Sequence, residues 1–281
     1  MNTLWCNGQW LAAGAFPAAP LDRGAILGLA LFETLLAIDG AVVFCERHLA
    51  RLAAGCERFG WVAPQQQFAE LPRAMTRLLE IAGHGAGRAR IRLTVTAGTG
   101  ALADLASGAD RLVWMAASPL ADALATLAVN VATWPRNERG ALSGLKCASY
   151  AENLVALDQA RRAGFDETLF FNTSGALCEA ATANVFLVRN GFLTTPPLAS
   201  GCLAGITRGV VLELAAREGI ACEEVALGQA DLDRADEVIV TSATRGPVPV
   251  SRVGQRPLPQ HVIGSRLRGL WEAAVRRNIL A

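Results

Sequence analysis

Strands in this chain come as hairpins interrupted by helices, without regular β-α-β alternation, and that pattern limits the fold more than any other feature. LFETLLAIDGAVVF (31–44) reads as two extended runs around an Asp39-Gly40 turn. Apolar periodicity predicts helices over 46–60 and 68–83, and alternation predicts strands over 88–97 and 111–117. The pattern restarts with LAVNVATW (127–134). A helix follows, in which Leu154, Leu157 and Ala160 recur at helical spacing and Gly164 provides the stop. Further hairpins, a helix over TRGVVLELAAREG (207–219) and a last helix near 262–277 complete the chain. The expectation is an α+β fold in two domains. A small N-terminal domain covers 1–117, a linker around Ser118-Pro119 covers 118–126, and a larger domain over 127–281 carries Lys146.

Composition narrows the function classes. Of the 281 residues, 52% are apolar and 18% charged, which excludes a disordered chain, a coiled coil and a collagen-like repeat. The net charge of +1 argues against a nucleic-acid-binding surface. The most apolar long stretch, Leu112 to Trp134, contains Pro119, Asp122 and Asn130 and makes a poor membrane-spanning helix. The first ten residues lack a basic segment followed by an apolar one, so a soluble cytoplasmic protein is expected. Seven scattered cysteines without a C-x-x-C pair imply neither a metal site nor a disulfide framework.

The charge count hides one informative residue. Of 26 basic residues, 25 are arginine and one is lysine, Lys146. The only tyrosine, Tyr150, follows four residues later. The Ala, Arg and Gly bias points to a coding background that replaces lysine wherever a plain cation suffices. A guanidinium, with a pKa above ~12, is never a neutral nucleophile, whereas a lysine amine can form a Schiff base. Composition alone is satisfied equally by a covalent residue and by a chance survivor on a surface loop. The neighbourhood favours the first: Lys146 lies just after the Ser143-Gly144 turn and just before a helix.

Three motifs then fall in order: EAATANVF (179–186), Leu193-x-Thr195 and GCLAGITR (201–208), with Lys146 33 residues upstream of Glu179. With Asp22-Arg23-Gly24 near the start and PVPV (247–250) near the end, nearly the whole chain resembles the class-IV aminotransferases. These are the fold-type IV enzymes dependent on pyridoxal 5′-phosphate. They include branched-chain aminotransferases, D-amino-acid aminotransferases and 4-amino-4-deoxychorismate lyases. The resemblance implies the two-domain α+β fold of the D-amino-acid aminotransferase type, pyridoxal 5′-phosphate as cofactor, an amino- or keto-acid substrate and a homodimer. It implies Lys146 as the Schiff-base and proton-transfer residue and Glu179 as the partner of the pyridine nitrogen. Arg51, Ile206, Thr207 and Thr244 match the phosphate donors, with Ile206 and Thr207 placed where GIT opens a helix. Tyr150 matches the tyrosine at the phenolic oxygen. Thr34, Arg92 and Arg245 fall on the substrate side, Asn184 holds the turn beside Glu179, and His48 flanks Arg51.

The chain departs from the family on that substrate side. DRG continues as AILGLALFET, with Leu27, Leu29 and Ala30 where an aromatic and an acid are usual, and Ala97 replaces an arginine. LFET, GLK and SATRGPVPV resemble the lyase branch more closely. The resulting expectation is a 4-amino-4-deoxychorismate lyase that releases pyruvate and 4-aminobenzoate for folate biosynthesis. An amino-acid aminotransferase is the alternative. A non-catalytic pyridoxal-phosphate-binding protein and a cofactor-free Schiff-base enzyme are the remote ones, because Lys146, Glu179 and the phosphate motifs are all present.

Overall fold

The computed structural model of the chain describes residues 3–17, 21–61, 65–101, 105–106 and 110–280. It is α+β and divides into two compact units. The first comprises Met1–Asp122 together with Leu145–Ser149 and Arg277–Ala281, and the second comprises Ala123–Gly144 and Tyr150–Arg276.

The first unit contains β1 (Thr3–Cys6), β2 (Gln9–Ala12), α1 (Arg23–Leu27), β3 (Ala30–Ile38), β4 (Ala41–Val42), α2 (Cys45–Arg58), α3 (Gln65–Ile81), β5 (Arg88–Thr96) and β6 (Val113–Pro119). Its antiparallel sheet has the order β2-β1-β6-β5-β3-β4. Asp39 and Gly40 both have positive φ, 48° and 80°, so the expected hairpin turn closes β3 onto β4. Strand alternation then sorts the two faces. Leu31 and Leu35 of β3, Ile91 and Leu93 of β5, and Val113 and Met115 of β6 pack with Leu52 of α2 and with Leu71, Met75 and Leu78 of α3. Full burial of each such side chain stabilises by about 1.5–3 kcal/mol. The alternate residues, among them Phe32, Thr34, Arg92 and Thr94, fall to the opposite face.

The stretch DRGAILG (22–28) contains the short helix α1. Asp22 caps it by accepting the Gly24 N–H at 2.6 Å. The Arg23 side chain is fully buried and donates to the carbonyls of Ala97, Gly98 and Ala101. Five residues are too few for a periodicity to register.

The second unit contains β7 (Leu127–Val131), α4 (Ala151–Arg162), β8 (Glu167–Phe171), β9 (Leu177–Ala180), β10 (Asn184–Arg189), β11 (Phe192–Thr195), α5 (Ile206–Arg217), β12 (Cys222–Glu224), α6 (Gln229–Arg234), β13 (Glu237–Ser242), β14 (Gly246–Val253), β15 (Arg256–Pro257) and α7 (Val262–Leu280). The sheet order is β12-β11-β10-β13-β14-β7-β8-β9, with β15 on β14. One face packs Val129, Leu169, Val185 and Val240. The other packs Phe186 and Ile239 against Val211 of α5 and Leu267 of α7. The helix α4 departs from expectation in its buried stripe. Asn153, Ala156, Leu157 and Ala160 face inward, and Leu154 is 56% exposed. Asn153 takes the inward place because its amide bonds the Ala181 carbonyl at 2.6 Å and its carbonyl accepts from Arg136 at 2.9 Å. No described helix is long and apolar enough to cross a membrane.

Candidate active site

Lys146 joins the first unit through backbone pairing. The Phe32 N–H donates to the Lys146 carbonyl at 2.9 Å, the Ala148 N–H donates to the Ala30 carbonyl at 2.7 Å, and Leu31 bridges Cys147. The segment thus extends the edge of β3. The sequence reading assigns Lys146 to the second domain; these bonds are why residues 145–149 belong with the first unit. Lys146 is partly buried, and its Nζ lies 4.4 Å from the Phe32 ring centroid. Arg92 shares that ring, with its guanidinium carbon 3.3 Å from the centroid and its Nε 3.4 Å from Thr94 Oγ1. Thr34 is the cross-strand partner of Arg92.

On the helix-covered face, Glu33 gathers two side chains from α2. Arg51 donates through Nε to Oε1 at 2.8 Å and through Nη2 to Oε2 at 2.6 Å. His48 Nδ1 lies 2.6 Å from Oε2. The spacing 48/51 puts both on one face of α2. Burial alone raises the Glu33 carboxyl, but the hydrogen bonds and charges of Arg51 and His48 outweigh it and hold the pKa at about 2. Burial lowers the His48 pKa, and the charges of Arg51 and Lys146 add to that against the pull of Glu33. Sequence reasoning missed Glu33; its partners are 15 and 18 residues away and no local pattern marks them.

The second unit carries the other expected residues. Glu179 lies on β9, partly buried, and its Oε2 accepts the Leu203 N–H at 2.9 Å. Tyr150 stands at the N-terminus of α4 and donates its hydroxyl to the Ala181 carbonyl at 2.8 Å. Burial, followed by the charges of Glu179 and Glu167, raises the phenol pKa, so the hydroxyl stays protonated. Ile206 and Thr207 are the first residues of α5, as GIT suggests, and no side chain caps that helix. Asn184 is structural: its Nδ2 donates to the Leu203 carbonyl at 2.8 Å, and a Cβ on Gly205 collides with its Oδ1. A side chain at position 205 would therefore have to displace the Asn184 amide.

Thr244 lies in the turn between β13 and β14. Arg245, beside it, is expected on the substrate side. Its guanidinium bonds Glu167, Thr182 and Ser242. Neither Glu167 nor Thr182 is singled out by the sequence. Among the described residues no cluster of three or more His, Cys, Asp or Glu side chains could hold a metal.

The family Amino-transferase class IV matches residues 30–253, and the chain belongs to that pyridoxal-phosphate-dependent family. A Methanocaldococcus jannaschii protein provisionally named branched-chain-amino-acid aminotransferase is 29% identical over 96% of this chain and 94% of its own. The Escherichia coli K12 branched-chain-amino-acid aminotransferase is 28% identical over 89% of this chain and 84% of its own. Among solved structures, the branched-chain aminotransferase of Thermoproteus uzoniensis superposes with a TM-score of 0.89 at 24% identity, covering 97% of this chain and 94% of that one. A hypothetical aminotransferase of Mycobacterium tuberculosis in its pyridoxal-phosphate-bound form gives 0.85 at 24%, covering 97% and 98%. A Legionella pneumophila protein provisionally assigned as a 4-amino-4-deoxychorismate lyase gives 0.84 at 24%, covering 94% and 97%.

Proposed function

We propose that this chain is an amino-acid aminotransferase that uses pyridoxal 5′-phosphate to move the amino group of a branched-chain or similar apolar amino acid to a 2-oxo acid. The observation that carries the reading is the length of the likeness to branched-chain-amino-acid aminotransferases, at 28–29% identity over 89–96% of the chain. The expectation of a lyase draws less support. The lyase-like structure named above is 24% identical, a likeness that speaks for the fold alone.

The residues present fit the cofactor. The α5 N-terminus, with no side-chain cap and a glycine before it whose Cβ position lies against the Asn184 amide, suits a phosphate. In this reading the amides of Ile206 and Thr207, the hydroxyls of Thr207 and Thr244, and Arg51 bind the phosphate dianion. Glu33 and His48 hold Arg51 in one orientation through the fork and the shared carboxylate. Glu179 holds a proton on the ring nitrogen. When bound, the cofactor supplies an aldehyde that accepts the amino group and a ring that delocalises the electron pair left on the substrate carbon. Tyr150, kept protonated, gives its one O–H to the phenolic oxygen in place of the Ala181 carbonyl, which keeps the Asn153 amide. Lys146 Nζ accepts the proton that leaves the substrate Cα. Arg92, with Thr34 beside it, offers the positive charge for a substrate carboxylate, and a homodimer is the expected assembly.

The test is a donor panel. Purified enzyme is given L-leucine, L-isoleucine, L-valine, D-alanine or L-glutamate with a 2-oxo acid acceptor, and separately 4-amino-4-deoxychorismate. The expected result is oxo-acid exchange with the branched-chain donors. Release of pyruvate and 4-aminobenzoate without exchange restores the lyase reading.

A further inference from the structure

We infer that Arg245 and Glu167 form a positioning clamp for the phosphate-binding turn at Thr244, an inference that rests on the cofactor reading above. Glu167, the first residue of β8, has 0% exposure. Arg245 Nη2 donates to Glu167 Oε2 at 2.9 Å and to Thr182 Oγ1 at 2.8 Å, and its Nε donates to Ser242 Oγ at 3.1 Å. The Thr182 hydroxyl donates in turn to Glu167 Oε2 at 2.5 Å. The Thr182 N–H points to Oε1 at 3.3 Å. One buried carboxylate thereby ties three segments that are distant in sequence. They are β8, the 181–183 turn after Glu179, and the 243–245 turn that carries Thr244.

A solvated arginine–glutamate pair contributes little to stability. This pair differs because the acid is wholly buried, and a buried carboxylate without its cation is strongly disfavoured. The arginine is therefore held in place by the need of Glu167, and the turn is held with it. The other end of the same turn is pinned too. Ser242 pairs with Gly246, whose φ is +67° and whose Cβ position lies 2.6 Å from the Trp271 ring. Thr244 sits between these two anchors, one residue from Arg245. A hydroxyl that recognises an anion must be fixed to a few tenths of an ångström, and the clamp supplies that fixity. A lysine keeps the charge but has no planar fork to span Glu167, Thr182 and Ser242 together.

The experiment measures equilibrium binding of pyridoxal 5′-phosphate and of pyridoxal to the full chain, for wild type, Arg245→Gln, Arg245→Lys and Thr182→Val. The expected result for Arg245→Gln is a loss of at least about tenfold for the phosphate ester and less than about twofold for pyridoxal. Arg245→Lys falls between it and wild type, and Thr182→Val loses a few-fold in the same phosphate-selective sense. Equal losses for both ligands, or none, overturn the clamp, since a merely structural role does not distinguish the two. If Arg245→Gln does not fold, the ratio in Thr182→Val decides. A wild-type protein that binds the phosphate ester no better than pyridoxal overturns the cofactor reading itself, and the clamp with it.

Discussion

The Arg51 guanidinium grips Glu33 with two parallel hydrogen bonds of 2.8 and 2.6 Å, across the interface between α2 and β3. Such a fork fixes the arginine plane as well as its charge. Glu33 is 1% exposed, so the pair lies out of reach of solvent screening on its acidic side. His48 completes the carboxylate's hydrogen bonding from the same helix.

That pair sets a pH dependence. The Glu33 carboxyl falls from its ordinary 4.5 to about 2 on folding. A lowered carboxylate contributes stability that is fully present above its unfolded pKa and is lost as the pH falls through the folded one. The window is about pH 4.5 down to about 2. His48 acts in the same sense from 6.5 downward, because the unfolded state binds its proton more readily. Linkage puts the Glu33 contribution at about 3 kcal/mol at neutral pH. Urea denaturation between pH 7 and 3 is expected to give a steeper loss for wild type than for Glu33→Gln. Parallel curves for the two proteins contradict this.

Gly205→Ala tests the open end of α5. Its φ of −67° suits any residue, so the substitution carries no backbone strain, only the collision with Asn184 Oδ1. The expected result is a displaced first turn, a cofactor dissociation rate raised about tenfold or more, and a melting temperature within a few degrees of wild type. Pairing it with Asn184→Ala, which removes the obstacle, is expected to recover part of the loss.

Gly246→Ala and Gly8→Ala separate packing from backbone. Both glycines have positive φ, +67° and +84°, but only Gly246 faces an obstacle, the Trp271 ring; nothing lies within 4 Å of a Cβ on Gly8. Gly8→Ala is expected to cost about 1 kcal/mol, the penalty of a left-handed backbone for an alanine. Gly246→Ala is expected to cost at least about 1 kcal/mol more. Chemical denaturation gives both values, and equal costs count against the described packing.

Tyr150→Phe removes one hydrogen bond to the Ala181 carbonyl, which keeps the Asn153 amide. A carbonyl with a remaining partner loses about 1 kcal/mol or less. The variant is therefore expected to fold and to melt within a few degrees of wild type, while its turnover falls several-fold. A large drop in melting temperature shows the hydroxyl to be chiefly structural.

The sequence made the hairpins and long helices legible because their signals are local. Asp39-Gly40, the α2 and α3 periodicities and the GIT start of α5 each speak for themselves within a few residues. Lys146 stands out by composition and motif order, but its attachment to β3 is invisible, since Phe32 and Lys146 are joined only by folding. Arg245 shows the same limit. Its partner Glu167 lies 78 residues away. Leu154 fits the helical spacing, but Asn153 takes its place on the inner face, while Leu157 and Ala160 are buried as the spacing predicts. The five-residue α1 is recognised by its Asp22 cap and the buried Arg23 rather than by any periodicity.

The claim on which the others depend is that Lys146, the only lysine in the chain, carries the cofactor covalently. Peptide mass spectrometry after borohydride reduction of protein incubated with pyridoxal 5′-phosphate tests it most directly. The expected result is a phosphopyridoxyl mass on the peptide containing Lys146, absent from folded Lys146→Ala and Lys146→Arg. An unmodified Lys146 peptide in active, reduced wild-type protein contradicts the account.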